Sequence, residues 1–364
     1  MSLKGWKEKL FQRYMIWSCR PSRVTKHLRS VLPRSRQPEP ADRRQIKVAA
    51  LQIELKLFKN PLQYADEMHR LVREAADQGA QLIVFPEYNN LALFGMLPGI
   101  EKMEKEDFRE KEAKAGKEGK GGASVQGKGD DLSLADLFRY ISPAVKPLVH
   151  TIFSQFASAY GLHIMAGSYA LEEKGEIVNR ALLYGPSGDL IGSQDKVHLL
   201  PMEAEWNLKK AASFNVYETP LGCLAMPVCM DATYYETFRI LEKSGAEIVL
   251  LPIANLEEYN YWLALRGIWP RVQESQVYGI KSALVGSVAG FTFTGRAGIF
   301  APLEITPGQN GVLAEVEPFD REAIALAILN LEALNQLRSN HPWRDSNQQL
   351  YKRYFPEIYE GKDH

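Results

Sequence analysis

The chain has 364 residues, 45% of them apolar, so it is long enough and apolar enough to bury a sizeable core. Its 44 basic and 44 acidic residues cancel, so its overall charge selects neither nucleic acid nor an acidic partner. Its three irregularly placed cysteines exclude a disulfide framework and a zinc site, and they favour a cytoplasmic location. No run of about 18 apolar residues occurs, so we expect no transmembrane helix.

The first 45 residues form a basic segment in which lysine and arginine far outnumber aspartate and glutamate. Apolar residues recur in it at steps of three and four, at Leu3, Trp6, Leu10, Tyr14 and Trp17. A basic amphipathic helix with tryptophan is typical of binding to an anionic membrane surface or of docking on a partner. We therefore predict a peripheral membrane contact through residues 3–20. The body offers no aromatic and basic groove, so we expect no nucleic-acid partner.

From residue 46 onwards strand and helix patterns alternate, which indicates an α/β fold. The apolar patterns predict a strand at 46–54, an amphipathic helix at 61–78 and a buried strand at 81–86. The segment 101–131 breaks this alternation with glutamate, lysine and glycine, so we predict a mobile insertion. Its position after the third predicted element leaves two roles open, a tolerated surface loop or a lid.

Three reactive side chains each follow a predicted buried strand: the carboxylate of Glu87, the amine of Lys196 and the thiol of Cys229. Because the carboxyl ends of parallel strands meet at one edge of a sheet, we expect these groups to lie close together. A thiol needs a base to become a nucleophile and a cation to hold the charge that its attack creates. The three residues together predict acyl transfer.

Cys229 precedes a predicted helix at 231–241, and helix N-termini stabilise a thiolate through unpaired N–H groups. We expect the N–H of Met230 to contribute to an oxyanion hole. His198 is an alternative base, since it would share the face of Lys196 if the strand continued that far. Cys223, inside the preceding strand, is predicted to be structural.

The segments around these residues resemble those of a known family: Phe85-Pro86-Glu87-Tyr88, Asp195-Lys196-Val197-His198 and Pro227-Val228-Cys229-Met230-Asp231. Together with the first strand and the late glycine-rich segment 295–302, they resemble the carbon-nitrogen hydrolase family, or nitrilase superfamily, over residues 46–326. The resemblance implies an α/β fold of the α-β-β-α sandwich type, with two stacked mixed β-sheets flanked by helices. It also implies that Glu87 is the general base, that Lys196 stabilises the oxyanion and that Cys229 forms a thioester.

Family members usually carry a second glutamate shortly after the lysine, which positions the lysine and the substrate. This chain departs from that pattern, because Ala204 stands at the usual spacing, between Glu203 and Glu205. The segment Pro201-Met202-Glu203 resembles the Pro-Phe-Glu of one branch, so we predict Glu203 as the fourth catalytic residue. Glu205 remains the alternative.

The residues after the cysteine bear on the reaction. Nitrile-cleaving members typically have Cys-Trp-Glu, whereas amide-cleaving members more often have aspartate in the third position, as Cys229-Met230-Asp231 does. The resemblance therefore implies hydrolysis of a small-molecule amide, with a nitrile as the alternative substrate, and it requires neither a metal nor an organic cofactor. Residues that follow the motif strands are predicted to contact the substrate, namely Tyr88, Met230, Tyr234 and Asn255.

We predict three regions: a basic arm and linker at 1–45, the hydrolase domain at 46–330 and a tail at 331–364. Family members assemble as dimers and larger oligomers, so the resemblance implies a homo-oligomer, and the aromatic tail is a candidate contact. One alternative is not an enzyme: a membrane-recruited scaffold that has lost activity. Its support in the sequence is the shifted second glutamate.

Overall fold

The computed structural model describes residues 3–36, 40–98, 134–288, 291–341 and 347–360. The predicted insertion at 101–131 lies outside these ranges. Within them, thirteen strands join in one hydrogen-bonded mixed sheet, and helices pack on its outer faces.

The sheet is largely parallel at its centre. The strands are β1 (Ile46–Glu54), β2 (Leu82–Val84), β3 (His163–Glu173), β4 (Glu176–Tyr184), β5 (Leu190–Asp195), β6 (Val216–Thr219), β7 (Gly222–Ala225), β8 (Ile248–Ile253), β9 (Tyr278–Val288), β10 (Phe291–Phe293), β11 (Gly298–Phe300), β12 (Val312–Glu315) and β13 (Ala323–Leu329). Along its main path the order is β5-β4-β3-β2-β1-β9-β8-β7-β6. The run from β3 to β7 along this path is parallel, so the carboxyl ends of its strands meet at one edge.

The described residues include ten α-helices. The α-helices are α1 (Leu3–Ser18), α2 (Pro21–Val31), α3 (Pro61–Asp77), α4 (Leu134–Tyr160), α5 (Pro201–Glu205), α6 (Tyr235–Lys243), α7 (Tyr261–Arg266), α8 (Trp269–Ser275), α9 (Leu331–Asn340) and α10 (Gln348–Glu360). Short 3-10 turns occupy Leu91–Met96, Cys229–Thr233 and Leu303–Ile305.

The two halves of the sheet face each other across an apolar centre. Val48 and Leu82 from one half pack there with Leu224, Ile248 and Ile280 from the other, all fully buried. Helices α3 and α4 cover the outer face of the first half, and α6 and α8 cover that of the second. The predicted α-β-β-α sandwich is therefore confirmed. Its two sheets remain joined by hydrogen bonds where the end of β1 pairs with β9.

Local predictions hold where the pattern is regular and fail near the site. The strand predicted at 46–54 is β1, and the helix predicted at 61–78 is α3, which begins after an Asn60 cap that accepts from the Leu62 N–H at 2.9 Å. The helix predicted at 231–241 is wrong in its start, because a 3-10 turn precedes α6. The continuation of β5 beyond residue 195 is also wrong, since β5 ends at Asp195.

The basic arm is folded onto the domain. Helices α1 and α2 lie against α4, and Met15, Cys19, Val24 and Leu28 are buried in the same apolar core as that helix. The docked face of α1 is therefore not the predicted stripe, whose members Leu10, Tyr14 and Trp17 remain exposed. No helix in the described part of the chain is long and apolar enough to cross a membrane.

Candidate active site

The turn after β2 places the first site residue. The chain leaves β2 at Val84 and reaches Glu87, whose side chain is buried. Gly167 in β3 allows the two backbones to approach, because a Cβ there would collide with the carbonyl oxygen of Pro86. Tyr88 then takes a left-handed backbone conformation with φ of 54°. Such a conformation costs about 1–2 kcal/mol in a non-glycine residue, so the surrounding packing must hold it.

The Glu87 carboxylate is held by three donors. Its Oε1 accepts from Lys196 Nζ at 2.9 Å and from Asn179 Nδ2 at 2.8 Å, and its Oε2 accepts from the Ala254 N–H at 2.9 Å. Burial raises the pKa of Glu87, although the Lys196 charge opposes this rise. Sequence reasoning missed Asn179; the available signal was a polar residue among the apolar positions of β4.

The Lys196 ammonium lies between two carboxylates. It is fully buried, and its Nζ donates to Glu203 Oε1 at 2.8 Å as well as to Glu87. Burial by itself would lower the pKa of Lys196, but the charges of Glu87, Cys229 and Glu203 outweigh it and raise the pKa. The amine is therefore a fixed positive charge near Cys229.

The structure separates the two candidate second glutamates. Glu203 in α5 is buried, and its Oε2 accepts from the Leu200 N–H at 2.8 Å while its Oε1 also accepts from the Tyr88 hydroxyl. Glu205 is exposed to solvent. One turn of helix capped by its own glutamate thus brings Glu203, and not Glu205, to Lys196.

Cys229 begins the 3-10 turn that follows β7, in a left-handed backbone conformation with φ of 46°. Its Sγ lies 3.6 Å from Asn255 Oδ1, which follows β8. Burial raises the pKa of the Cys229 thiol well above its ordinary value, and the Glu87 charge adds to the rise while Lys196 opposes it. Desolvation thus opposes the thiolate that the sequence predicts at this position.

Asp231 ties the 3-10 turn at Cys229–Thr233 to the segment after Lys196. Its side chain is fully buried, with Oδ1 accepting from the His198 N–H at 2.7 Å and Oδ2 accepting from the Val228 N–H at 2.9 Å. The His198 ring is also bonded to it, through Nδ1 at 2.9 Å, and stacks on Tyr234 with centroids 4.1 Å apart. His198 is thus bonded to Asp231, and among the contacts between described residues none joins its ring to Cys229.

A pocket of about 870 Å³ opens over Cys229. Of the predicted substrate contacts, Met230 and Asn255 line it together with Cys229. Tyr88 instead lies behind the pocket wall, buried and bonded to Glu203, and Tyr234 lies against His198. Among the residues that the structure describes, neither tyrosine lines the pocket.

Similar proteins carry hydrolase names. The probable hydrolase YhcX of Bacillus subtilis (strain 168) is 24% identical over 300 residues, which cover 81% of this chain but only 52% of the relative. The chain thus spans about half the length of that relative. The omega-amidase NIT2 of Xenopus tropicalis is 25% identical over 202 residues, 52% of this chain and 70% of the relative. The nitrilase of Pyrococcus abyssi (strain GE5 / Orsay) is 25% identical over 258 residues, 71% and 82% respectively.

Solved structures of an amidase share the fold. The amidase from Nesterenkonia sp. superposes with a TM-score of 0.58 at 18% identity, over 86% of this chain and 98% of that one. A mutant of the Nesterenkonia sp. AN1 amidase, with the acetamide moiety of fluoroacetamide added to its active-site cysteine, gives a TM-score of 0.58 at 17% identity, over 87% and 99%. The family model described as carbon-nitrogen hydrolase matches residues 47–315. The chain therefore belongs to the carbon-nitrogen hydrolase family.

Proposed function

We propose that this chain hydrolyses an amide of a small molecule through a thioester on Cys229. The observation that carries the proposal is the buried cluster in which the Lys196 ammonium bridges the carboxylates of Glu87 and Glu203. A buried ion cluster is expensive to assemble, and a hydrophobic set would stabilise the fold as well. Its place beside a cysteine in a pocket supports a catalytic use.

The protonation states fit a base-assisted attack. The Cys229 thiol has a raised pKa, so its proton must leave during attack, and Glu87 is the acceptor in this proposal. As sulfur adds to the amide carbonyl, Lys196 and the Met230 N–H stabilise the oxygen that becomes negative. Glu87 then returns the proton to the departing amine, which leaves a thioester. Water, deprotonated by Glu87, cleaves the thioester and releases the acid and the free thiol.

The remaining groups of the site position the reacting ones. Glu203 accepts a second hydrogen bond from the Lys196 ammonium, and the Tyr88 hydroxyl donates to Glu203. Asn179 and the Ala254 N–H fix the plane of the Glu87 carboxylate, so that its proton transfers require no reorientation. These contacts also weigh against an inactive scaffold, because the shifted second glutamate is in place beside Lys196.

An amide is favoured over a nitrile as the substrate. Asp231 follows Cys229 by two residues, as in amide-cleaving relatives, and it is the residue that fixes the nucleophile turn. The solved structural neighbours are amidases, and one relative is named an omega-amidase, whereas another is named a nitrilase. Nitrile hydrolysis by the same residues is the second candidate.

Mass spectrometry of the intact protein tests both candidates. Incubation with a library of amides and nitriles is expected to give an acyl adduct on Cys229 with amides, and Cys229→Ala is expected to lose both adduct and turnover. Cys223→Ala is the matched control, since this half-buried cysteine lies in β7 away from Lys196, and it should keep both. Retained turnover in Cys229→Ala would contradict the proposal. Adducts from nitriles alone would show that the substrate is a nitrile and not an amide.

We also propose that α1 makes a peripheral contact with an anionic membrane. Leu10, Tyr14 and Trp17 are each about half exposed, and the guanidinium groups of Arg20 and Arg23 lie 5.2 and 5.0 Å from the Trp17 ring centroid. An exposed apolar face with cations beside it suits the boundary between lipid headgroups and acyl chains.

Liposome flotation of the full chain tests this contact, since deleting the arm would expose the face of α4 on which α1 and α2 pack. Vesicles of phosphatidylcholine with phosphatidylserine should carry the wild type upwards, and Trp17→Asp should abolish this. Leu190→Asp, at another exposed apolar residue, should not. Equal flotation of the two variants, or none for the wild type, excludes the membrane contact.

A homo-oligomer is the remaining proposal about partners. Helix α10 leaves Leu350, Tyr351, Tyr354 and Ile358 exposed, each by at least two fifths of its surface. Light scattering after size exclusion should give a mass above that of one chain, and Tyr354→Glu should lower it. A monomeric wild type would exclude this contact.

A further inference from the structure

The pocket over Cys229 extends past the catalytic cluster. Besides Cys229 and Asn255 it is lined by Tyr259 and by Lys281, a residue of β9. Its volume of about 870 Å³ lies within the range of ligand pockets, roughly 300–1,000 Å³. It therefore has room for a substrate that reaches well beyond the scissile bond.

Lys281 is a buried amine without a hydrogen-bond partner. The residue is 2% exposed and stands in the middle of the sheet, opposite Leu251 of β8 and Gly298 of β11. Its Nζ lies 5.3 Å from the centroid of the Phe300 ring, and no described atom accepts a hydrogen bond from it. Burying an ammonium in apolar surroundings is costly unless a partner compensates it. In the free protein, the charge of Lys281 is therefore buried at the pocket wall without a hydrogen-bond partner among the described residues.

Tyr259 supplies a second unpartnered donor in the same pocket. Its ring is stacked on Phe319 with centroids 4.7 Å apart and carries the Arg296 guanidinium at 5.3 Å from its centroid. Its hydroxyl is buried and has no hydrogen-bond partner among the described residues. Two residues of the pocket wall thus carry a buried amine and a buried hydroxyl that donate to no described atom.

The charges around Lys281 leave an excess of one positive charge. The groups that act on it are Glu315 of β12 and Arg296, which lies before β11, and these two approach each other to 3.9 Å. Two cations and one carboxylate are balanced by one further anion. The acidic residues that line the pocket, Glu257 and Glu258 among them, are exposed to solvent, where their charges are screened.

We infer that Lys281 and Tyr259 form an anion subsite, which binds a carboxylate at the end of the substrate away from the scissile amide. The inference rests on the proposed amidase function and narrows its substrates to amides that also carry a carboxylate. A carboxylate accepts both donors, compensates the buried ammonium and anchors the substrate relative to Cys229.

The subsite has a pH signature. Burial lowers the pKa of Lys281 to about 8, with Arg296 adding to this effect and Glu315 opposing it. The ammonium is therefore the main form at neutral pH and is lost as the pH rises through 8. Preference for a carboxylate substrate over a neutral one should fall in that range, because kcat/KM follows the protonation of the free enzyme.

The experiment compares matched substrates that differ in charge. The carboxylate series is succinamate, glutaramate and adipamate, and the neutral series is butyramide, pentanamide and hexanamide. The wild type should prefer one carboxylate amide over its neutral match by about 10- to 100-fold in kcat/KM, as expected for one charge-assisted hydrogen bond. Lys281→Met should remove this preference, and Tyr259→Phe should reduce it about fivefold to tenfold.

Two controls separate the subsite from the fold and from the chemistry. Lys56→Met, at an exposed lysine of the loop after β1, should leave the preference unchanged. Calorimetry of the same six compounds with Cys229→Ala protein measures their binding affinity without turnover. Carboxylate binding that Lys281→Met abolishes supports the subsite even if the protein cleaves no amide. Turnover of amides with no preference for a carboxylate at any chain length, or a preference that Lys281→Met keeps, would overturn it.

Discussion

Replacing Asp231 with asparagine tests how the nucleophile turn is held. The carboxylate accepts from the His198 N–H and ring on one oxygen and from the Val228 N–H on the other. Asparagine has the same shape but only one acceptor oxygen. In either orientation, its side-chain NH2 group therefore faces a backbone N–H that the Asp231 carboxylate accepts from. A lost charge-assisted hydrogen bond costs about 1.5–3 kcal/mol and an unsatisfied buried donor about 1–3 kcal/mol. We expect Asp231→Asn to lower the free energy of unfolding by about 3–5 kcal/mol.

Urea denaturation measures this loss as a shift of the midpoint at constant slope. Asp66→Asn is the matched control, because Asp66 pairs with His27 at 2.6 Å but is half exposed, and such pairs contribute about 0–1 kcal/mol. Activity should fall with Asp231→Asn as well, since the same side chain holds both Cys229 and the segment after Lys196. A loss below about 1 kcal/mol, or one equal to that of the control, would refute the reasoning.

Three further predictions concern the catalytic cluster. Glu203→Gln should lower kcat/KM for an amide by about 100-fold or more, whereas Glu205→Gln, at an exposed residue of the pocket wall, should keep it within about tenfold; equal effects would contradict the geometry. His198→Asn should retain activity within about tenfold, and a loss as large as that of Cys229→Ala would make His198 the base instead. The rate should fall on acidification at a pH above the ordinary pKa of glutamate, because burial raises the pKa of Glu87 and the base must be deprotonated; a pH profile with its acid limb at the ordinary value would count against this role.

The two buried lysines of the proposed site, Lys196 and Lys281, differ in their hydrogen-bond partners and in the direction of their pKa shifts. Lys196 has two carboxylates at hydrogen-bond distance, which hold its charge and raise its pKa. Lys281 has none at that distance among the described residues, and its pKa is lowered. The charge of Lys196 is therefore compensated by carboxylates in the free protein, whereas an anionic ligand would compensate that of Lys281.

The sequence by itself predicted the fold, and it predicted three residues of the candidate site. Apolar runs and turn residues are local signals, so β1 and α3 could be placed nearly to the residue. The same signals show that Glu87, Lys196 and Cys229 each follow a strand, and parallel pairing brings such positions to one edge. The resemblance to the family then implied a role for each of the three.

Only the tertiary structure decided which side chains meet. Glu203 was separated from Glu205 by a single turn of helix, which orients one inwards and the other to solvent. Asn179 lies 92 residues from Glu87 in the chain, so no local pattern joins them, and their contact depends on the register between β3 and β4. The docked face of α1 and the burial of Lys281 likewise follow from what packs against each element. Pairing between distant segments is set by sheet register and packing, and these are properties of the folded chain as a whole.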